Sequence, residues 1–354
     1  MWCRLGLFGF VLFELLFSQY LFAQSLAFSR NARTFESVHS SLFVKSLGHA
    51  CLSITISPDS LPCNPANMVY QDKNTLGADL LLSNGHSALS NIRQLLDGEI
   101  SQGLVDTLFT EGKIIQIEAN VDINFKSKYI NARYTPFTVK GFSVVRNEAN
   151  PDVELSAVEE KGFALQSAYQ VIDGLSIGVQ VRFLERKFVR QQFQLILMGT
   201  PAGDQLLSPK SQKVTYIEPG MTWEISNNWH PRLSVLVANL GFVSDKHDEL
   251  NVPVDYQVGF GITPPIRWGE LQLALDYKSL TLVEADQAKF RFGGTYGFGA
   301  MHFATGLDVN GVSGGIFYGL QQATAGVMYS TTRITNEDED YFTQTLYVQL
   351  GWRI

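Results

Sequence analysis

From Lys113 to the last residue, apolar and polar side chains alternate with a period of two. Ile115, Ile117, Ala119, Val121 and Ile123 interleave with Gln116, Glu118, Asn120, Asp122 and Asn124. Leu175, Ile177, Val179, Val181 and Phe183 interleave with Ser176, Gly178, Gln180 and Arg182. At the C-terminus, Leu346, Val348, Leu350, Trp352 and Ile354 interleave with Tyr347, Gln349, Gly351 and Arg353. Such alternation places apolar side chains on one sheet face and polar ones on the other. A soluble sandwich also alternates, so the length of the segments matters. They run to about ten residues, enough for a tilted strand to cross a bilayer. Their polar faces carry Glu118, Asp122, Arg182 and Arg353, as a wet or hydrogen-bonded lumen requires. A sheet in lipid must close to hide its backbone donors and acceptors, so the pattern predicts an all-β, transmembrane antiparallel β-barrel.

The expected strands lie near 114–124, 128–136, 139–147, 153–171, 174–187, 213–226, 231–242, 253–263, 268–278, 288–297, 300–308, 313–319, 322–332 and 341–354. That makes about fourteen, or twelve if the early segments merge; Ala78 to Ser83 offers a further or first strand. Short turn signals at Ile172-Asp173-Gly174, Asn227-Asn228 and Gly297-Phe298-Gly299 alternate with longer polar stretches. The latter are 191–212, 244–251, 284–287 and the acidic run Asn336 to Asp340. Short periplasmic turns alternating with long external loops are the arrangement expected of such barrels. Counting back from a periplasmic C-terminus puts the three short turns on that side and Asn310-Gly311 on the other. Between Ala88 and Leu108, Ile92, Leu95, Leu96, Ile100, Leu104 and Leu108 recur at helical spacing and predict one amphipathic helix, interrupted by Gly98 and Gly103. Trp223, Trp229, Trp268 and Trp352 stand near strand ends, where interface girdles form.

Composition supports this reading. Of 354 residues only 17% are charged, with 30 Gly, 24 Phe and 13 Tyr. A net charge of −7 gives no basic footprint for nucleic acid. Mean hydropathy of +0.02 argues against a bundle of membrane helices. The one long apolar run, Leu5 to Ala23, follows Arg4 and ends in small residues, which reads as a signal peptide over 1–23. A membrane anchor is the alternative, opposed by Glu14 inside the run. The expected organisation is then a signal peptide (1–23), a plug segment (24–75) and a barrel (76–354). After loss of Cys3 the mature chain keeps Cys51 and Cys63, an even count that predicts a disulfide in an oxidising compartment; two buried thiols are the alternative. Such a bridge would contribute roughly 3 kcal/mol by restricting the unfolded chain.

Residues 46–68, which include Asn64-Pro65-Ala66, resemble the N-terminal segment of the long-chain fatty-acid transporter (FadL-like) superfamily of outer-membrane barrels. Val237-Ala238-Asn239-Leu240-Gly241 with Val252-Pro253-Val254-Asp255-Tyr256, and Leu273 to Lys278, resemble later strands of the same superfamily. The closest branch suggested is the set of conjugal transfer protein TraF-like barrels. The family usually has a second glycine where His49 stands, and no cysteine pair. The resemblance implies a barrel of about fourteen strands whose lumen an N-terminal hatch occludes; Asn64, Pro65 and Ala66 are expected to shape that hatch, and the Cys51–Cys63 bridge, read from the cysteine count and not from the family, to clip it.

No phosphate-binding glycine loop, metal-spaced Cys/His set or nucleophile elbow is visible, so no catalytic residue, metal or cofactor is expected. His302, on one face with Gly306 and Asp308, reads as a lumenal hydrogen-bonding histidine. The alternating strand carrying Leu346, Val348, Leu350, Trp352 and Ile354 is expected to close the barrel and to carry the insertion signal. Expected partners are outer-membrane lipid and lipopolysaccharide, the barrel-assembly machinery and hydrophobic small molecules. Two functions fit: transport of hydrophobic or amphipathic molecules past the plug, with an apolar pocket between plug and wall, or a structural barrel that holds partners of a secretion or conjugation apparatus.

Overall fold

The computed structural model describes residues 41–55, 61–71, 74–109, 114–146, 152–197, 200–245, 254–278, 290–308, 311–320, 322–335 and 340–354. The expected signal peptide, the loops near 246–251 and 284–287, and residues 336–339 of the acidic run lie outside them.

Fourteen antiparallel strands form one closed barrel. In chain order they are β1 (Thr75–Ser83), β2 (Ile114–Lys126), β3 (Asn131–Arg146), β4 (Asp152–Ile172) and β5 (Leu175–Gln194). Next come β6 (Lys210–Glu224), β7 (Arg232–Ala238, resumed at Gly241–Ser244), β8 (Asp255–Ile262), β9 (Glu270–Tyr277) and β10 (Phe290–Phe298). The last are β11 (Met301–Asp308), β12 (Gly311–Gly319), β13 (Ala323–Thr335) and β14 (Asp340–Arg353). Each strand pairs with its sequence neighbours, and the ring closes where β1 meets β14, from Gly77 opposite Arg353 to Ser83 opposite Tyr347.

Two expected strands, 128–136 and 139–147, are one. β3 runs through Pro136 as an irregularity between Thr135 and Thr138, where two residues face one on β4. Proline lacks a ladder N–H and is tolerated at such a bulge. The strand starting near Ala78 makes up the number.

Alternation sorts the side chains as expected. Leu346, Val348, Leu350 and Trp352 face out and are exposed, while Tyr347 and Gln349 are buried inside. On β4 the outward apolar stretch from Phe163 to Ile172, at ~3.3 Å per residue and a tilt of ~40°, covers ~25 Å, the height of a lipid-facing band. The turns at Asp173-Gly174, 225–231 and Gly299-Ala300 lie at one end with the C-terminus, and the β11–β12 connection at the other. Trp223, Trp229, Trp268 and Trp352 are all exposed at that first end.

The helix expected over 88–108 is two helices, α1 (Leu89–Leu96) and α2 (Gln102–Leu108). Gly98 adopts φ +79°, a left-handed conformation that ends α1, and Ser101 caps α2 through Leu104 N–H at 3.3 Å. Both pack on the outside of the wall. Ile92, Leu95, Leu96, Leu104 and Leu108 join Ile115, Ile117, Val139, Val153 and Leu155, outward residues of β2–β4, in one buried cluster. Leu207, after the short helix α3 (Pro201–Leu206), completes it. Lys187 of β5 bonds Asp97 at 2.8 Å and holds its carboxyl below the usual carboxylate range. No helix among the described residues is long and apolar enough to cross a membrane.

Candidate functional site

Inside the barrel, residues 41–55 and 61–71 lie against the inner face of the wall. What lets a backbone approach a sheet so closely is the absence of side chains, and inward glycines supply it. A Cβ on Gly306 of β11 would stand 1.9 Å from Leu47 C and 2.0 Å from Gly48 N. One on Gly178 of β5 would stand 2.5 Å from Pro65 C and Ala66 N, and one on Gly220 of β6 2.1 Å from Asn64 Oδ1. Gly293 likewise meets Leu47 and Ala50, and Gly259 meets Leu52.

Polar side chains then fix the register of the segment. Asp276 of β9 accepts the backbone N–H of Cys51 at 2.7 Å and of Leu52 at 3.0 Å. Arg232 of β7 donates from Nε to Ser53 O at 2.9 Å, and Gln272 Oε1 accepts Thr55 N–H at 3.0 Å. On the opposite wall, Lys45 pairs with Glu118 of β2, which also faces Lys140 at 3.7 Å. Phe43 meets Phe317 edge to face, ring centroids 5.4 Å apart.

The sequence-predicted residues take definite places here. Cys51 and Cys63 form a disulfide, Cα atoms 5.8 Å apart. Asn64 is fully buried; its Nδ2 donates to Met221 O at 3.0 Å and Thr222 Oγ1 at 3.2 Å, while Oδ1 accepts Ala66 N–H at 3.0 Å. That last bond caps a 3₁₀ turn, Pro65–Tyr70, with Pro65 at its first position. Asn64 thus bonds both the wall and the turn that follows it. His49 has φ +62°, directly after Gly48 at +57°, a left-handed conformation that favours glycine. Tyr70 hydrogen-bonds Glu224; burial, and then Glu224, push its phenol up to about 12. Glu224 also meets His230 at 3.0 Å and Arg232 at 3.5 Å.

Sequence reasoning missed Asp276, Arg232 and Gln272 as anchors. Their signal was available: each is a polar residue at an inward position of its strand, and Asp276 falls within the Leu273–Lys278 motif. Arg182 and Arg353 do face the interior, Arg182 paired with Glu218 and Arg353 with Asp79 at 2.8 Å. His302 also faces inward, as expected, but its Nδ1 finds no hydrogen-bond partner among the described residues. At the other site predicted, Ile354 and Leu76 exchange backbone hydrogen bonds at 2.8 and 3.2 Å, tying the chain end to β1.

One cavity among the described residues, about 440 Å³, is not the expected apolar pocket beside the segment. It lies on the outer side of the wall beneath α1, among charged residues.

Comparison with known proteins gives no matching family model and no matching curated relative. Solved structures do match. The Ralstonia pickettii toluene transporter TbuX is 11% identical and aligns with a TM-score of 0.51 over 90% of this chain and 99% of its own. This chain shares the fold of TbuX. The CymD monoaromatic hydrocarbon channel (12% identity, TM-score 0.47, 88% and 96% covered) and the P. putida toluene transporter TodX (10%, 0.43, 89% and 97%) are more distant in shape.

Proposed function

We propose that this protein is a channel of the bacterial outer membrane that passes hydrophobic or amphipathic small molecules, with residues 24–75 as its hatch. One observation carries the reading: a closed fourteen-strand barrel with the fold of a toluene transporter holds an N-terminal segment seated on its inner wall. The apolar outer band supports residence in a membrane, and transport past a hatch follows from the segment's place. Within this reading Asn64, Pro65, Ala66 and the Cys51–Cys63 bridge keep the hatch in shape. The terminal strand from Leu346 to Ile354 serves as the insertion signal for the assembly machinery.

The test is uptake of labelled toluene by cells with and without the protein, alongside fractionation of their membranes. Faster uptake with the protein in the outer membrane is expected. Equal uptake at full outer-membrane levels would overturn the transport reading. A second reading, a barrel that holds partners and passes nothing, is favoured by how firmly the segment is sewn to the wall through Asp276, Arg232 and Asn64. Equal uptake together with a stable co-purifying protein would favour it, and the TraF-like branch with it.

A further inference from the structure

The outward face of β4 and β5 is apolar twice along its length. Phe163 and Phe183, Cα partners, are exposed at the top of the lipid-facing band. Ala157 and Val189, six residues higher on each strand, are buried under the helices. Between them lie two charged pairs of Cα partners, Lys161 with Glu185 and Glu159 with Lys187. Lys213 of β6 stands opposite Glu185 and continues the belt. Arg93 of α1 and Asp97, the residue that caps it, roof the belt, and the 440 Å³ cavity fills the slot between roof and belt.

A slot immediately above an apolar band and outside the lumen opens onto the headgroup layer of the membrane, not onto the path of a transported solute. Its cations pair with carboxylates, Lys187 with the exposed Asp97 at 2.8 Å, Lys213 with the exposed Glu185 at 2.9 Å and Lys161 with the largely covered Glu159 at 3.2 Å. The lysine side chains are 37%, 75% and 57% exposed, and exposed ion pairs are weak. A phosphate ester carries more charge and more acceptor oxygens than a carboxylate, and its hydrogen bonds from ammonium groups are charge-assisted and short.

We propose that this slot binds the phosphorylated headgroup of an outer-leaflet glycolipid, lipopolysaccharide in the outer membrane, through Lys161, Lys187 and Lys213 with Arg93 from the roof. The assignment rests on the outer-membrane reading above, and membrane fractionation tests that reading separately.

The experiment measures retention of bisphosphorylated lipid A by the purified full chain in detergent. The combined variant K161Q, K187Q and K213Q is compared with K128Q at the opposite rim, and folding of each is checked by the migration shift of the unboiled band. Expected is a loss of retention of about tenfold or more in the triple variant and none in K128Q. Dephosphorylated lipid A should bind as weakly as the triple variant binds the intact lipid, and millimolar inorganic phosphate should not compete. Undiminished retention by a folded triple variant, or equal retention of dephosphorylated lipid, would overturn the proposal. Full competition by inorganic phosphate would also overturn it, making the slot a free-phosphate site. Should the triple variant fail to fold, single K187Q and K213Q variants carry the same comparison.

Discussion

Asp276 holds Cys51: one carboxylate oxygen, buried in the wall, accepts the backbone N–H of Cys51 at 2.7 Å and that of the next residue at 3.0 Å. Replacing Asp276 with Ala leaves both donors buried without a partner, at a cost of about 1–3 kcal/mol each. The N-terminal segment should then detach while the ring of strands persists. Limited proteolysis should cut within 41–71 of Asp276→Ala, with the unboiled gel band unchanged. Asp276→Asn keeps an acceptor oxygen and should stay close to wild type; equal resistance in all three proteins would show that Asp276 is no anchor.

A methyl group at Gly306 tests the seat from the wall side. Its Cβ would overlap Leu47 and Gly48 backbone, atoms that cannot swing aside as a side-chain tip does. Gly306→Ala should therefore displace the segment, raising conductance in planar bilayers, whereas Gly299→Ala, where a Cβ meets nothing within 4 Å, should not. Gly299 does have φ +59°, so the control carries a local turn strain of about 1 kcal/mol without touching the segment. Identical conductance in the two variants would sink the steric argument.

Tyr70 gives the docking an alkaline limit. Its phenol titrates at about 12 in the folded chain and near 10 when unfolded. A raised value contributes stability that is complete below pH 10 and lost as pH rises towards 12. Protease protection of residues 61–71 should fall across that window, and Tyr70→Phe should remove the limb. An unchanged alkaline profile in Tyr70→Phe would assign the loss to other groups.

At the seam, Ile354→Asp places a carboxylate on an outward, exposed position of the closing strand. Charge on a lipid-facing barrel position costs ~0–1 kcal/mol near an interface, too little to unfold the ring. A marked drop in folded outer-membrane protein would therefore reflect lost recognition of the terminal strand during assembly. Normal levels would show that the strand carries no such signal.

How far the chain itself disclosed this structure follows from what period-two patterning can and cannot encode. Alternation told which side chains point the same way, and so the strands, the closure and the inward Glu118, Arg182 and Arg353 were legible. It could not tell what an outward face meets. Ile115 and Ile123 share one face of β2, yet Ile115 is buried beneath helices and Ile123 is exposed. Nothing in the two residues distinguishes them; the difference lies in where α1 and α2 fold back. Gly98 was visible as an interruption, but only its left-handed backbone shows that it divides the helix. The Asn64-Pro65-Ala66 motif stood out in the sequence by resemblance, while Gly178 and Gly220, against which it rests, looked like ordinary strand glycines.

The ring closes between its first and last strands, and the segment it encloses precedes them all. Residues made early thus touch β11 and β12, made late, and sit within a circle that is complete only when residue 353 has found residue 77. The order of synthesis runs from the contents to the container. The enclosed segment also carries its own covalent tie, Cys51 to Cys63, independent of the wall. Release of the segment from the finished ring therefore requires breaking its contacts with the wall, not the tie within it.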